Sequence, residues 1–306
     1  MSDFQTVTFI RNELSRRGLT PISGLGQHFL IDGNLLHLMV EEAGVGENDL
    51  VLEVGCGTGS LTVLLAQRGG HVIAVELDER LLEIAQEALA RFDNVTFWKG
   101  DVLSGKHTLA PDLTHITAER WTRRPGLHLK VVSDLPYKVA TPVIVNLWES
   151  ELPIELMLVT VQRELAERLV AQPGTKAYGA LTVKVAVWAQ AEVLRVLPAS
   201  VFWPRPAVAS AFVRLRRRRE PLVGREEYRW LVGLVEALFR HRRKTLARGL
   251  KVAGAELGLK LPGALVSDLA GAQRVEQLTV AELITLSRTL RRPDGTRSSA
   301  GKGQAE

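Results

Sequence analysis

Leu50-Val51-Leu52-Glu53-Val54-Gly55-Cys56-Gly57-Thr58-Gly59 is the stretch whose reading decides the fold. A short, wholly apolar strand with one acid near its end runs into a turn holding three glycines. The following residues, 60–68, carry a helical pattern. Glycine is required where the backbone takes a positive φ or where a Cβ would collide with a neighbour or a ligand. Strand, glycine turn and helix in that order describe the first unit of an open α/β sheet.

Working outward, the same alternation repeats. Residues 71–77 form a second apolar strand. Residues 80–91 form a helix with Leu81, Leu82, Ile84, Ala85, Ala88 and Leu89 on one face. Residues 94–98 form a third strand that ends near Asp101. A fourth, 129–133, ends in Asp134-Leu135-Pro136-Tyr137, and a fifth, 156–161, precedes a helix over 164–170. The expected architecture is a mostly parallel sheet with helices on both faces. Two later stretches, 181–190 and 211–215, read as strands with only a proline-rich link between them, so they are expected to pair antiparallel at the sheet edge. After Arg219 the pattern turns helical, over 226–240, 243–252, 262–270 and 280–290. The expected domains are therefore an N-terminal arm (1–24), a sheet domain (25–218), a small helical domain (219–290) and a disordered tail (291–306). Residues 104–128 show no clear period.

Composition sets outer bounds. The 306 residues are 46% hydrophobic and 24% charged, with one cysteine, Cys56. That excludes collagen-like, disulfide-scaffold and wholly disordered classes. No apolar run approaches the roughly 20 residues of a membrane span, and the N-terminus lacks the apolar core of a secretory signal. A cytosolic monomer without a metal site is expected. The net charge of +5 is unevenly placed. Between positions 211 and 250 stand 12 Lys/Arg against 4 Asp/Glu, a local +8, which leaves −3 for the remainder. A basic patch of this kind points to a polyanion such as nucleic acid, although a solvated face explains an isolated run equally well.

The acids have an order of their own. Glu53, Glu76 and Asp101 end successive strands and gather at the C-terminal edge of the sheet, where open α/β sheets bind ligands. A carboxylate after the second strand can accept both hydroxyls of a ribose, and one after the third can accept an adenine amino group. The tight GxGxG spacing and the antiparallel terminal pair favour S-adenosylmethionine over a dinucleotide. Asp134-Leu135-Pro136-Tyr137 supplies the other half of a reaction. An exocyclic adenine nitrogen is a poor nucleophile, so a carboxylate and a backbone carbonyl must hold its hydrogens while an aromatic face stacks on the base. Phe202, in Phe202-Trp203-Pro204-Arg205-Pro206, is a second aromatic that can cover the base, or else a lid over the core.

Taken together, the motifs resemble those of the small-subunit ribosomal RNA adenine dimethyltransferases, the KsgA family. The resemblance rests on Gly26-Gln27-His28-Phe29-Leu30, the glycine turn, Glu76-Leu77-Asp78, Gly100-Asp101-Val102 and Asp134-Leu135-Pro136-Tyr137. It extends to Lys176-Ala177-Tyr178-Gly179, to the Phe202–Ser210 segment and to Phe239-Arg240-x-Arg242-Arg243-Lys244-Thr245-Leu246. It implies a class I S-adenosylmethionine-dependent methyltransferase (Rossmann-like) sheet with a helical C-terminal domain. It further implies dimethylation of two adjacent adenines near the 3′ end of small-subunit rRNA in an assembling subunit. By the same resemblance His28, Leu30, Gly55, Gly57, Glu76, Asp101 and Asp134 would hold the cofactor. Asp134, Leu135, Pro136, Tyr137 and Phe202 would form the methyl-acceptor site, and Arg240, Arg242, Arg243 and Lys244 would grip RNA. The chain departs from the family pattern at Asp134 and His28, where Asn is usual, at Ala207, where Lys is usual, and at Gly249, where Asn is usual. Two alternatives stay open at this point: the related macrolide-resistance enzymes of large-subunit rRNA, and a non-catalytic assembly or transcription factor on the same fold.

Overall fold

The apolar runs at 50–54, 72–76 and 156–161 become strands because they are buried on both faces, which a sheet covered by helices on either side allows. The computed structural model describes residues 6–291 apart from 23, 25, 125, 260 and 262–271. The elements begin with α1 (Val7–Arg16), β1 (Phe29–Leu30), α2 (Gly33–Glu42), β2 (Asp49–Val54), α3 (Ser60–Arg68), β3 (His71–Glu76), α4 (Glu79–Ala88) and β4 (Val95–Lys99). A hairpin, β5 (Leu103–Gly105) and β6 (Thr108–Leu109), precedes α5 (Pro111–Arg123), β7 (His128–Asp134), α6 (Ala140–Glu149), β8 (Ile154–Gln162) and α7 (Arg163–Leu169). Then follow α8 (Ala180–Trp188), β9 (Ala189–Leu197), β10 (Phe202–Trp203), β11 (Ser210–Arg217), α9 (Arg225–Arg240), α10 (Leu246–Glu256) and α11 (Val280–Leu290).

The main sheet has the order β4-β3-β2-β7-β8-β11-β9. β11 runs antiparallel to both β8 and β9, while β4, β3, β2, β7 and β8 are mutually parallel. Leu52 at the centre is level with Ile73 on one side and Val131 on the other, and all three are fully buried. This register brings the ends of β2, β3 and β7 to one edge, where the glycine turn, Glu76 and Asp134 lie. Helix starts are set locally: Asp32 caps α2 and Asp78 caps α4 through their side-chain oxygens, each accepting first-turn N–H groups. Among the described residues no helix is long and apolar enough to cross a membrane.

The chain divides into two compact units, residues 1–170 with 188–220 and residues 171–187 with 221–306. Three expectations change. The N-terminal arm includes α1, whose Ile10 and Leu14 pack on Leu81 and Ile84 of α4, so it is part of the first unit. The sheet domain expected over 25–218 loses 171–187 to the helical unit, and its boundary falls after 220. The stretch 181–190 is not a strand: its first eight residues complete α8, and β9 begins at Ala189. Alternating Val183, Val185 and Val187 imitate a strand, yet Leu181, Thr182 and Trp188 are buried too. Burial around the whole circumference lets a helix form in spite of β-branched residues. Thr182 Oγ1 also accepts the Gly179 N–H at 3.2 Å at the start of this helix.

Residues 104–128 hold most of the hairpin and α5. Only Leu113 and Thr117 of α5 are buried, too narrow a stripe to show as a period. In the second unit α9 packs against α10 and α11, and Trp230 Nε1 donates to the Ser287 carbonyl at 2.8 Å. The helix expected over 262–270 and nearly all of the expected tail lie outside the described residues.

Candidate active site

The first turn is held to the fourth-strand motif by direct contact. Gly55 has φ +77°, and a Cβ there would stand 3.0 Å from the Pro136 ring. The Val54 N–H donates to Ser133 Oγ at 2.8 Å, tying the ends of β2 and β7 together. Gly55 and Cys56 N–H groups both donate to the Val75 carbonyl, which fixes the turn beside the end of β3. Burial pushes the Cys56 thiol up, so it sits in the turn as a small protonated filler.

The carboxylates are ordered by backbone. Glu76 Oε2 accepts the Gly57 N–H at 2.8 Å, and its Oε1 accepts the Leu77 and Asp78 N–H groups at 2.9 Å each. Burial raises the Glu76 pKa while these three donors oppose the rise. Asp101 Oδ1 accepts the Leu103 N–H at 2.9 Å. Glu53 is 2% exposed, and among the described residues its Oε2 has no hydrogen-bond partner. Desolvation lifts its pKa to about 8; the Thr62 hydroxyl opposes this, and the charges of Glu76 and Asp134 add to it. Desolvation likewise lifts Asp134 to about 7, against donation from Thr160 and the Leu30 backbone. Two acids of this cavity are therefore poised near neutrality.

Tyr137 follows on the turn. Its hydroxyl lies 2.6 Å from Ser210 Oγ, and burial pushes its pKa up to about 12. The His28 ring stacks on it at 5.6 Å between centroids, and His28 Nδ1 hydrogen-bonds the Pro204 carbonyl at 2.7 Å. The Leu135 N–H is spent on the Thr160 carbonyl, and the Pro136 carbonyl accepts from Val139.

These groups surround one cavity of about 260 Å³. Its wall includes His28, Leu30, Gly55, Gly57, Glu76, Asp101, Asp134, Leu135, Pro136 and Tyr137. Phe202 is not part of that wall: it is 2% exposed and packs in the core with Leu30 and Leu197. The short β1–β10 pairing sets Phe202 opposite Leu30 and turns Trp203 onto Phe29. Ser210 and Ser133 are the polar partners that the sequence reading did not single out. Ser210 closes the Phe202–Ser210 segment, and that place in the motif was the available signal.

The four basic residues expected to grip RNA belong to the second unit. Arg240 ends α9, and Arg242, Arg243 and Lys244 occupy the turn before α10, which starts at Leu246 and not at 243. Arg240 pairs with Glu256 at 2.5 Å, and Arg242 pairs with Glu276 at 2.8 Å while donating to the Lys176 carbonyl at 3.2 Å. Arg243 and Lys244 are exposed and make no ion pair among the described residues. Tyr178 sets its ring edge-on to Phe239 at 5.9 Å, so the Lys176–Gly179 motif and the Phe239–Leu246 motif meet within this unit.

The family model described as "Ribosomal RNA adenine dimethylase" matches residues 22–291. The chain belongs to this family. Among similar proteins, ribosomal RNA small subunit methyltransferase A of Anoxybacillus flavithermus is 37% identical over 292 residues, 94% of this chain and 96% of the relative. The protein of the same name from Lactiplantibacillus plantarum is 40% identical over 286 residues, 90% of this chain and 92% of the relative. A dimethyladenosine transferase from Plasmodium falciparum shares the fold, with TM-score 0.69 at 23% identity, covering 84% of this chain and 95% of that one. The 23S rRNA methyltransferase ErmE is similar with TM-score 0.62 at 25% identity, covering 86% and 99%.

Membership in a methyltransferase family implies use of S-adenosylmethionine. The residues present fit such a group. Glu76 is pre-oriented by three N–H donors, Glu53 presents an unpartnered buried oxygen among the described residues, and the turn lines the cavity with Gly55 and Gly57, where a side chain would strike Pro136 or Phe29.

Proposed function

We propose that this dimethylase transfers methyl groups from S-adenosylmethionine to the N6 amino groups of two adjacent adenines near the 3′ end of small-subunit rRNA, in an assembling subunit. The observation that carries the proposal is one cavity walled by the glycine turn, Glu76 and Asp101 on one side and by the Asp134–Tyr137 turn on the other. The relatives named above, at 37% and 40% identity, carry small-subunit names, which favours that substrate over the large-subunit one.

Glu76 would hold the ribose hydroxyls, Asp101 the adenine amino group, and Gly55 and Gly57 the amino-acid end of the cofactor. S-adenosylmethionine, when bound, supplies an electrophilic methyl on a sulfonium. Asp134 accepts an N6 hydrogen of the target base, turning the nitrogen lone pair toward the donor side. Its oxygen can then take the proton that the amino group loses after methylation. Tyr137 stacks on the base, and Ser210 holds the phenol so that the ring keeps its orientation. The π face of Tyr137 favours the positive charge developing on the nitrogen. Catalysis by positioning of this kind needs no strong base.

The test is label transfer from S-adenosylmethionine to undermethylated small subunits, with the modified bases mapped. Label on two adjacent 3′-proximal adenines is expected. Cofactor binding without transfer would leave an assembly factor, and label confined to large-subunit rRNA would leave the resistance-type enzyme.

A further inference from the structure

The arginine run at the end of β11 has no part in the methyl-transfer cavity. Because β11 runs antiparallel to β8, Arg216 is level with Leu156 near the start of β8. The run therefore emerges at the N-terminal edge of the parallel strands, whereas Asp134 stands at the other edge. His128 and Asp134 bound β7, and seven residues at about 3.3 Å each separate the two edges by roughly 20 Å.

At this edge His128, Lys130 and Glu155 join Arg216, Arg217, Arg218 and Arg219 around an open depression. Two carboxylates near the depression have partners among its basic residues. Glu155 pairs with His128 at 2.8 Å, and Asp49 pairs with Lys130 at 2.9 Å. Arg217 is an anchor: it donates to the Leu152 and Ile154 carbonyls and lies 5.2 Å over the Trp148 ring. Arg216 and Arg219 are exposed and make no ion pair among the described residues. A guanidinium held by backbone carbonyls and flanked by exposed ones suits oxygens of successive phosphates.

We propose that this edge is a second RNA site, which holds the sugar-phosphate backbone of an rRNA segment away from the adenine being methylated. The inference rests on the rRNA substrate proposed above. Phosphate contacts of this kind fix register and orientation without reading sequence. They would steady a large particle on the enzyme at a point remote from the chemistry.

The test uses the full chain with Arg216→Gln and Arg219→Gln together, two exposed positions outside the cavity. Binding is measured between 50 and 300 mM KCl to undermethylated small subunits and, separately, to a 20-base-pair RNA duplex. The expected result is about tenfold weaker binding to both at 100 mM KCl, with the log–log salt slope shallower by about 1.5 to 2. KM for subunits rises by a similar factor, kcat and cofactor affinity stay unchanged, and the double Arg→Lys variant recovers most of the loss. Unchanged subunit affinity and slope in a folded variant would overturn the site. If the unaltered protein neither binds nor methylates small subunits, the rRNA reading falls instead. The duplex then decides: lost duplex affinity supports the site, and equal affinity of both proteins overturns it, leaving an acidic protein as the partner class to examine.

Discussion

The two edges of the sheet are built from the same strands and carry opposite chemistries. At the C-terminal edge Glu53, Glu76, Asp101 and Asp134 converge on a cavity, and desolvation holds Glu53 near 8 and Asp134 near 7. At the N-terminal edge Arg216 to Arg219 meet an open depression in which Glu155 is occupied by His128. The difference follows from strand polarity. Parallel strands deliver all their leading loops to one edge, so a ligand pocket assembles there. The opposite edge is free to carry charge for a surface partner. Short-range positioning governs the first edge, and screened electrostatics governs the second.

Substitutions in each region should separate positioning from electrostatics. The largest effect is expected from Tyr137→Ala, which should reduce methyl transfer at least about a thousandfold while leaving cofactor affinity within a few-fold, measured by calorimetry. Equal loss of cofactor binding would make Tyr137 a structural prop of the cavity. Next, on the helical unit and at neither edge, Arg243→Ala with Lys244→Ala should weaken subunit binding on the order of tenfold or more and flatten its salt dependence by about 2, as a surface grip on phosphate would. Cofactor affinity should hardly respond to salt, and a steep response there would erase the distinction between the two chemistries.

A smaller effect tests the buried acid. Asp134 has a folded-state pKa of about 7, above its ordinary 3.8, so between these values the folded protein binds more protons than the unfolded chain. Stability from this group is therefore full below about pH 4 and is lost as pH rises to about 7. Asp134→Asn should leave the melting temperature nearly unchanged at pH 4 and raise it by a few degrees, about 3 °C, at pH 8. A gain equal at both pH values would show that the carboxyl is not desolvated. The smallest change is expected from Phe202→Leu: a stability loss of about 1 kcal/mol for a core side chain, with KM for subunits unchanged. A large rise in KM without loss of stability would return Phe202 to the base-binding face.

Much of the first unit was legible. The strands at 49–54, 71–76 and 154–162 follow apolar runs, and the glycine turn, Glu76, Asp101 and Asp134 are where strand ends put them. What escaped did so for physical reasons. Thr117 and Leu113 give α5 too slight an apolar stripe, and Ser210 reaches Tyr137 across 73 residues, a partnership no local pattern encodes.

By itself the sequence determined the parallel core, the glycine turn and the acids that line the cavity, because strand-length apolar runs and strand-end residues are local signals. Tertiary structure decided the rest. It made 180–188 a helix by burying it all round, and it drew Phe202 into the core through its pairing with Leu30. It also split one basic stretch between Arg216–Arg219 on the sheet and Arg240–Lys244 on the helical unit. Such choices depend on which distant surfaces exclude water together, and neighbouring residues carry no record of that.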